Sequence, residues 1–348
     1  MTLTAQQVKE FAYSAGADLC GIANMERFEG APEQMDPRYI FPAARSAIVL
    51  GRRIPRGVYR GIEEGTHWSN YTFYGYNRLN TLMLPTAQYA TACFVEDHGF
   101  EATPVYPGVS EAEPQGKRLR EGQPAPTVYP NIRIAAVAAG LGEMGWSKVF
   151  LSPQFGPRQR LCMILTDAEL EPDPLVKPNS ICNLCMACVE DCPGHCIPHI
   201  KEGKAVEIQI EGTTYRWGDV HMGKCTLTHH GLNKEASPFL AKDCPGLHMP
   251  VAEQDCSEEE AYKLTHAIGR ATWRKTPEFP TGHVLDYAYT MLNGVGYYAV
   301  CGARGCIRAC FMSKGPAGEP DRKFHNEFRK KPMWTLSPEG EVGVKNEE

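Results

Sequence analysis

Long apolar runs are missing from this 348-residue chain. Nowhere do about 18 uninterrupted apolar residues occur, so no membrane-spanning helix and no membrane partner are expected. Blocks of Lys and Arg are missing too, and the net charge is −5. A nucleic-acid binder normally carries a basic footprint, so the charge weighs against a nucleic-acid partner. The opening stretch, MTLTAQQVKEFAYSAGADLCG, has neither a basic n-region nor an apolar h-region. It reads as the first amphipathic helix of a fold, not a signal peptide. Arg52-Arg53 sits between IVLG and IPRGVYRG, well inside the chain, which is no setting for a twin-arginine signal. A cytoplasmic location is therefore expected. No internal repeat at solenoid periods is visible, and ordinary charged (22%) and apolar (43%) fractions exclude wholesale disorder.

Cysteine, by contrast, is plentiful, with 14 residues. A leaderless cytosolic chain keeps its thiols reduced, so their clustering points to metal and not to disulfides. CNLCMACVEDCP, from Cys182 to Pro193, has the spacing C-x2-C-x2-C-x3-C-P. Three thiolates in that rhythm hold one [4Fe–4S] cluster, and the fourth reaches across to a second cluster. Zinc is the alternative, but it usually takes C-x2-C pairs or mixtures of Cys and His. A second, irregular motif, CGARGCIRAC, runs from Cys301 to Cys310, with Phe311 where proline is usual. By the exchange rule Cys182, Cys185, Cys188 and Cys310 hold cluster one. Cys192, Cys301 and Cys306 hold cluster two with one further ligand. Cys225, in HMGKCTLTHHG, is the preferred fourth; Cys244 and Cys256 also lie between the motifs and compete. Cys20, Cys93, Cys162 and Cys196 read as small buried hydrophobes.

Ahead of the cysteines, helical and strand-like patterns alternate. TAQQVKEFAYSAGA is amphipathic, SAIVLG is a buried strand, and LMLPTAQYATACFVEDHG continues as a helix to Gly99. EATPVYP and RQRLCMILTDAEL read as strands, and NIRIAAVAAGLGEMGW as a helix entering a glycine turn. The fold class is α/β or α+β, a sheet covered by helices. We divide the chain into residues 1–175, a cofactor and substrate domain, and residues 176–316, the cysteine module, followed by a polar tail, 317–348. The module carries an insertion at about 226–298. The proline-rich stretch EPDPLVKPNS, Glu171 to Ser180, reads as the linker.

About half the residues precede the first cysteine motif, and that half must bind whatever the electrons reduce. In AAGLGEMGWSKVFLSPQFGPRQR, Gly140, Gly142 and Gly145 free the backbone to approach a ligand or a neighbouring chain. Arg158 and Arg160 follow in a turn-rich loop suited to an anionic group. GLGEMG has the letters of a dinucleotide fingerprint, but it follows a helical run and lacks the acidic ribose partner.

These segments together, AAGLGEMG…LSPQFGPRQRL…LTDAEL with CNLCMACVEDCP, resemble the corrinoid-dependent reductive dehalogenases and their relatives, the epoxyqueuosine reductases. MDPRYIFPAARSAIVLG is similar to a stretch both groups carry near their start. KCTLTHHG looks like the segment holding the isolated cluster-two cysteine, which favours Cys225. The resemblance implies a nitroreductase-like core and a bacterial-ferredoxin-like module with two [4Fe–4S] clusters. It also implies a base-off corrinoid (cobalamin), with Gly140, Gly142, Glu143 and Gly156 as cofactor-binding residues. A low-potential donor, ferredoxin or flavodoxin, would supply electrons; a small molecule would be the substrate, and a homodimer is compatible with this.

Reductive dehalogenases favour a Tyr proton donor with a nearby Arg or Lys. Tyr129 is the expected donor here and Arg158 the orienting residue, with Tyr71, Tyr74 and Tyr76 as rivals. Epoxyqueuosine reductases are expected to carry an Asp shortly before the A-G-L-G turn. GQPAPTVYPNIRIAAVAAGLG has none, so that activity ranks second. A non-catalytic electron-transfer or corrinoid-handling role ranks third. DVHMG, Asp219 to Gly223, only approximates the corrinoid motif of methyltransferases, and His221 reads as an ordinary polar residue.

Overall fold

The computed structural model describes residues 3–67, 70–105, 117–230, 232–233, 255–261, 263–264 and 301–313, with short pieces of the tail. The first helix, α1 (Ala5–Ser14), starts at a capping box. Thr4 Oγ1 accepts from Gln7 N, and the Gln7 side chain accepts from Thr4 N. Then come β1 (Leu19–Asn24), β2 (Ser46–Arg53), a single helical turn α2 (Arg60–Glu63) and two π-helical windings, Tyr71–Asn77 and Leu79–Met83. These run into α3 (Leu84–Glu96), where Pro85 occupies the first turn and needs no N–H partner.

Beyond them lie β3 (Ala102–Val105), α4 (Ile132–Ala138), the two-residue strands β4 (Glu143–Met144) and β5 (Phe150–Leu151), and β6 (Gln159–Thr166). Four strands form one sheet in the order β1-β2-β6-β3, and every pair is antiparallel. The result is an α+β arrangement, as the alternating patterns imply.

Side chains alternate across this sheet. Ile22, Ile48, Leu50, Cys162 and Ile164 face α1 and α3. Ala47, Val49, Leu161, Met163 and Leu165 face α4, whose Ala135 to Ala139 run is fully buried. Small residues there let α4 lie close on the sheet. Both faces are covered, which is why β2 and β6 are nearly continuously apolar. Strand β1 was not anticipated, because LCGIAN is short and glycine-interrupted.

The cysteine region holds α5 (Ala187–Glu190), a hairpin of β7 (Ala205–Ile210) and β8 (Thr213–Gly218), and α6 (Met222–His229). After residues outside the description come α7 (Cys301–Arg304) and α8 (Cys306–Met312). The hairpin, also unanticipated, joins the sheet's own core through Ile210, Tyr215 and Trp217. In the tail β9 (Trp334–Leu336) pairs with β10 (Val342–Val344). The expected insertion at 226–298 lies mostly outside the described residues, and Cys244 lies outside them entirely. Among the described residues no helix is long and apolar enough to cross a membrane.

Glu171 to Ser180 forms neither helix nor strand, as its prolines require, yet it is firmly docked. Asp173 N donates to Ile22 O, and Asp173 Oδ2 accepts from Ile22 N at 2.8 Å. Lys9 pairs with the same carboxylate at 2.5 Å. The segment thus runs along the free edge of β1.

Candidate redox and substrate site

The first cysteine loop is folded by strained backbone and one buried carboxylate. Leu184 and Met186 both take positive φ, 56° and 61°, which non-glycine residues rarely adopt. Such turns wind the thiols of Cys182, Cys185 and Cys188 around a common centre. Glu143, 2% exposed, accepts from the backbone N–H of Asn179 at 2.6 Å, of Cys182 at 2.7 Å, and of Ile181. Trp146 caps the other side, its Nε1 donating to Pro198 O at 2.8 Å.

Cys182, Cys185, Cys188 and Cys310 line one pocket, together with Trp146, Leu184 and Met186. These are the four residues expected for cluster one. Cys310 is brought in from the far end of the sequence by α8, which packs on α5. Among the described residues no three His, Cys, Asp or Glu side chains converge on a single ion. Thiols spread around a space are what a four-iron cube needs, since each thiolate binds a different iron. One zinc would draw four sulfurs to about 2.3 Å from a single point. Four thiols around one pocket are the donor set that a [4Fe–4S] cluster takes.

A second group lies beside the first. Cys306, Cys192 and Cys225 are close enough to Cys301 to act on its thiol, and Cys192 and Cys225, then Cys188 and Cys310, act on Cys306. These are the four expected for cluster two. Cys256 lies elsewhere, its backbone against Gly223 of α6, with Asp255 and Glu260 as the charges acting on it. Cys196 departs from expectation. It is buried, but its thiol sits in hydrogen-bond contact with both Cys192 and Cys225. His221 caps α6 and pairs with Asp255 at 3.0 Å, an ordinary polar role.

Burial pushes the Cys182 and Cys310 thiols up, and Cys188 to about 12. Cys192 is lowered to about 6, chiefly because the Cys196 thiol donates to it. Deprotonating the buried thiols requires a compensating cation, and bound iron is such a cation.

The two groups are tied to the sheet half by a buried ion pair. Arg308 of α8 donates from Nε and Nη2 to the two carboxylate oxygens of Glu63 in α2, at 2.7 and 3.0 Å. Both side chains are almost wholly buried. Phe311, standing where proline is usual, packs on Tyr59 with ring centroids 6.0 Å apart.

Arg158 lies under that helix, 5% exposed, with its guanidinium 4.7 Å from the Phe311 centroid and Nη1 donating to Ile54 O at 2.9 Å. It faces packing, not a cleft. Tyr129 is half-buried in coil before α4; its N–H donates to Gln34 O at 3.0 Å, and its hydroxyl has no partner among the described residues. Tyr71 is placed differently. It is fully buried, its hydroxyl accepts from Arg160 Nη2 at 3.2 Å, and Cys306 and Cys301 are close enough to act on it. Burial pushes its phenol up to about 12. Tyr74 is 44% exposed.

Of the glycines expected to meet a cofactor, two meet this chain instead. A side chain at Gly140, which has φ +68°, would strike Pro174 O, and one at Gly142 would strike Leu151 O. Gly156 has open space around its α-carbon. Glu143 is committed to the cysteine loop. These residues therefore do not by themselves form a corrinoid cradle.

Fold and site together define a class: an α+β domain whose sheet half abuts two groups of cysteines. Relatives make the class more particular. No protein-family model matches the chain. A tetrachloroethene reductive dehalogenase of Desulfitobacterium hafniense is 40% identical over 74 residues, 21% of this chain and 13% of that protein. The enzyme of the same name from Sulfurospirillum multivorans is 33% identical over 79 residues, 21% of this chain and 16% of that one. Over such a stretch the chain is related to the reductive dehalogenases, which are oxidoreductases, although it matches only a small part of their length. Among solved structures, a reductive dehalogenase described for B12-dependent dehalogenation has a TM-score of 0.47 at 19% identity, covering 84% of this chain and 36% of that one. An epoxyqueuosine reductase from Streptococcus thermophilus has a TM-score of 0.39 at 16% identity, covering 56% and 53%.

Proposed function

We propose that this chain is a reductive-dehalogenase-like oxidoreductase that passes low-potential electrons through two [4Fe–4S] clusters to a small organic substrate, with a corrinoid as the group that meets it. The observation that carries this reading is the gathering of eight cysteines into two groups that exchange partners, Cys310 with the first motif and Cys192 with the second. In this reading the sheet half is a nitroreductase-like core, the cysteine region a ferredoxin-like module, and a ferredoxin or flavodoxin the donor. When bound, a corrinoid would supply low-potential cobalt chemistry able to cleave a carbon–halogen bond. Its place rests on the relatives alone, since Gly140, Gly142 and Glu143 are otherwise engaged.

The chain's own residues have definable tasks. Cys182, Cys185, Cys188 and Cys310 hold cluster one, and Glu143 fixes the loop that presents them. Cys192, Cys225, Cys301 and Cys306 hold cluster two. Tyr71, beside Cys306, holds a proton that Arg160 orients and whose loss it eases, the pairing expected of a donor. Tyr71 thus replaces Tyr129 as the preferred donor.

Anaerobic purification with added cobalamin, then iron, sulfide and cobalt analysis with EPR, tests the reading. About eight irons and one cobalt per chain are expected. Iron without cobalt would remove the corrinoid and leave the clusters, and the sheet half would then need another acceptor.

A further inference from the structure

The second cysteine group has a fifth thiol beside its four, and the backbone around it is tied on three sides. Past Cys192 the chain turns back on itself: His195 takes φ 45°, and its N–H donates to Cys192 O at 3.0 Å. That turn aims the Cys196 N–H at Cys192 Sγ, 3.4 Å away. The Cys196 carbonyl accepts from His221 N at 2.9 Å, at the start of α6, the helix that carries Cys225. Asn233, beyond that helix, donates from Nδ2 to Pro193 O at 2.9 Å and holds the turn from its other side. Cys196 itself is 4% exposed and packs in one cluster with Cys188, Cys192, Cys225 and Cys306.

Gly194 leaves room for this sulfur, since a side chain there would strike Cys196 Sγ and Thr228 Oγ1. The thiol reaches hydrogen-bond contact with both Cys192 and Cys225. Wedged between two thiolates it keeps its proton, because both would repel a third negative charge. It therefore donates, and Cys192 receives two hydrogen bonds from one residue, an N–H and an S–H. Reducing a [4Fe–4S] cluster by one electron adds negative charge, and hydrogen bonds to the cluster's sulfurs are among the features that set its potential. Donors aimed at those sulfurs stabilise the reduced form, the more so in a setting shielded from water. Among the described residues, the pocket of the first group is lined by its own four cysteines alone.

We propose that Cys196 is a positioning residue for cluster two, a hydrogen-bond donor that raises the cluster's reduction potential through Cys192 and Cys225 without itself binding iron. This rests on the reading of Cys192, Cys225, Cys301 and Cys306 as ligands of a [4Fe–4S] cluster. Iron content tests that reading and potential tests the proposal, so the two can fail separately.

The experiment is a redox titration of the anaerobically purified, iron-loaded chain, with titanium(III) citrate as reductant and EPR as the readout for each cluster. The signal lost in Cys225→Ala is that of cluster two. Cys196→Ala should keep about eight irons and move cluster two, not cluster one, to lower potential. The expected shift is a tenfold change in the oxidised-to-reduced ratio, about 59 mV for one electron. The backbone N–H survives in that variant, so the shift reports the thiol. Cys196→Val fills the space without a donor and should act as the alanine does; Cys196→Ser restores a donor and should recover most of the shift. Gly194→Ala keeps the thiol but pushes it off its partners, and should lower the potential too. Full iron with an unchanged potential in Cys196→Ala or Cys196→Val overturns the proposal. So does the loss of four irons, which would make Cys196 a ligand. An unaltered chain with only four irons and one EPR signal overturns the cluster-two reading, and the proposal with it.

Discussion

A carboxylate that accepts three backbone N–H bonds from a metal-binding loop is a positioning device, and Glu143 is one. Charge-assisted hydrogen bonds contribute about 1.5–3 kcal/mol each. Glu143→Ala removes all three and leaves Asn179, Ile181 and Cys182 N–H unmatched. We expect iron content to fall from about eight to about four per chain, with cluster two retained. Loss of neither cluster would show that the loop folds without its anchor. At the same scale, Cys225→Ala should remove cluster two, while Cys256→Ala should leave the iron complement intact. Cys196→Ala should also keep eight irons, if Cys196 is a neighbouring thiol and not a ligand. The ligand residues were legible in the spacing because cluster geometry dictates it. Cys196 was not, because a lone cysteine four positions past a motif carries no rhythm. Nor was the role of Glu143, because its partners lie about forty residues further on.

Elements bring their own sensitivities, and α8 is the most exposed to test. Its Arg308 pairs with Glu63 of α2 in an almost water-free setting, and removing one partner of such a pair costs about 3–5 kcal/mol. Glu63→Ala should lower the unfolding midpoint in denaturant accordingly. Glu63→Leu combined with Arg308→Met should recover much of the loss, since burying apolar groups in place of an ion pair is often neutral. Recovery with intact clusters would assign the pair to stability alone. Helix α6 carries a pH dependence through His229, faced by Arg160 from β6, Arg133 from α4 and the Tyr76 ring. Its pKa falls from 6.5 to about 3 on folding. The unfolded chain therefore binds the extra proton between these values, so the stability His229 confers is complete above pH 6.5 and is lost as pH falls toward 3. His229→Asn should flatten the stability profile between pH 6.5 and 4 in denaturant titrations. A parallel profile would mean that other groups govern acid unfolding. Strands β2 and β6 and helices α1, α3 and α4 were readable from their apolar patterns. The hairpin of β7 and β8 was hidden because its strands are mostly solvent-facing, with only Ile210, Tyr215 and Trp217 committed to the core.

At the scale of the whole molecule, the second cysteine group draws Cys192 and Cys225 toward Cys301 and Cys306, residues separated by a long stretch of sequence. A cluster bound there closes the loop between Cys225 and Cys301. Treated as a cross-link, it would restrict the unfolded chain by roughly 4.5 kcal/mol on the loop-entropy scale. Metal binding and folding are then coupled, as in other chains whose ligands must be assembled from distant segments. The consequence reaches past the clusters. Cys306 and Arg308 share α8, and Arg308 grips Glu63, which lies between Tyr59 and Tyr71 in the chain. Stripping iron anaerobically should therefore do more than bleach the chromophore: it should loosen the packing of α8 on Tyr59. Hydrogen exchange comparing iron-loaded and iron-free chain is the direct check. We expect faster exchange at residues 60–83 and 301–313 on iron removal, with β2 and β6 protected in both forms. Exchange confined to the cysteine loops would mean that the sheet half holds its packing unaided, and that iron serves electron transfer without shaping the aromatic layer around Tyr59.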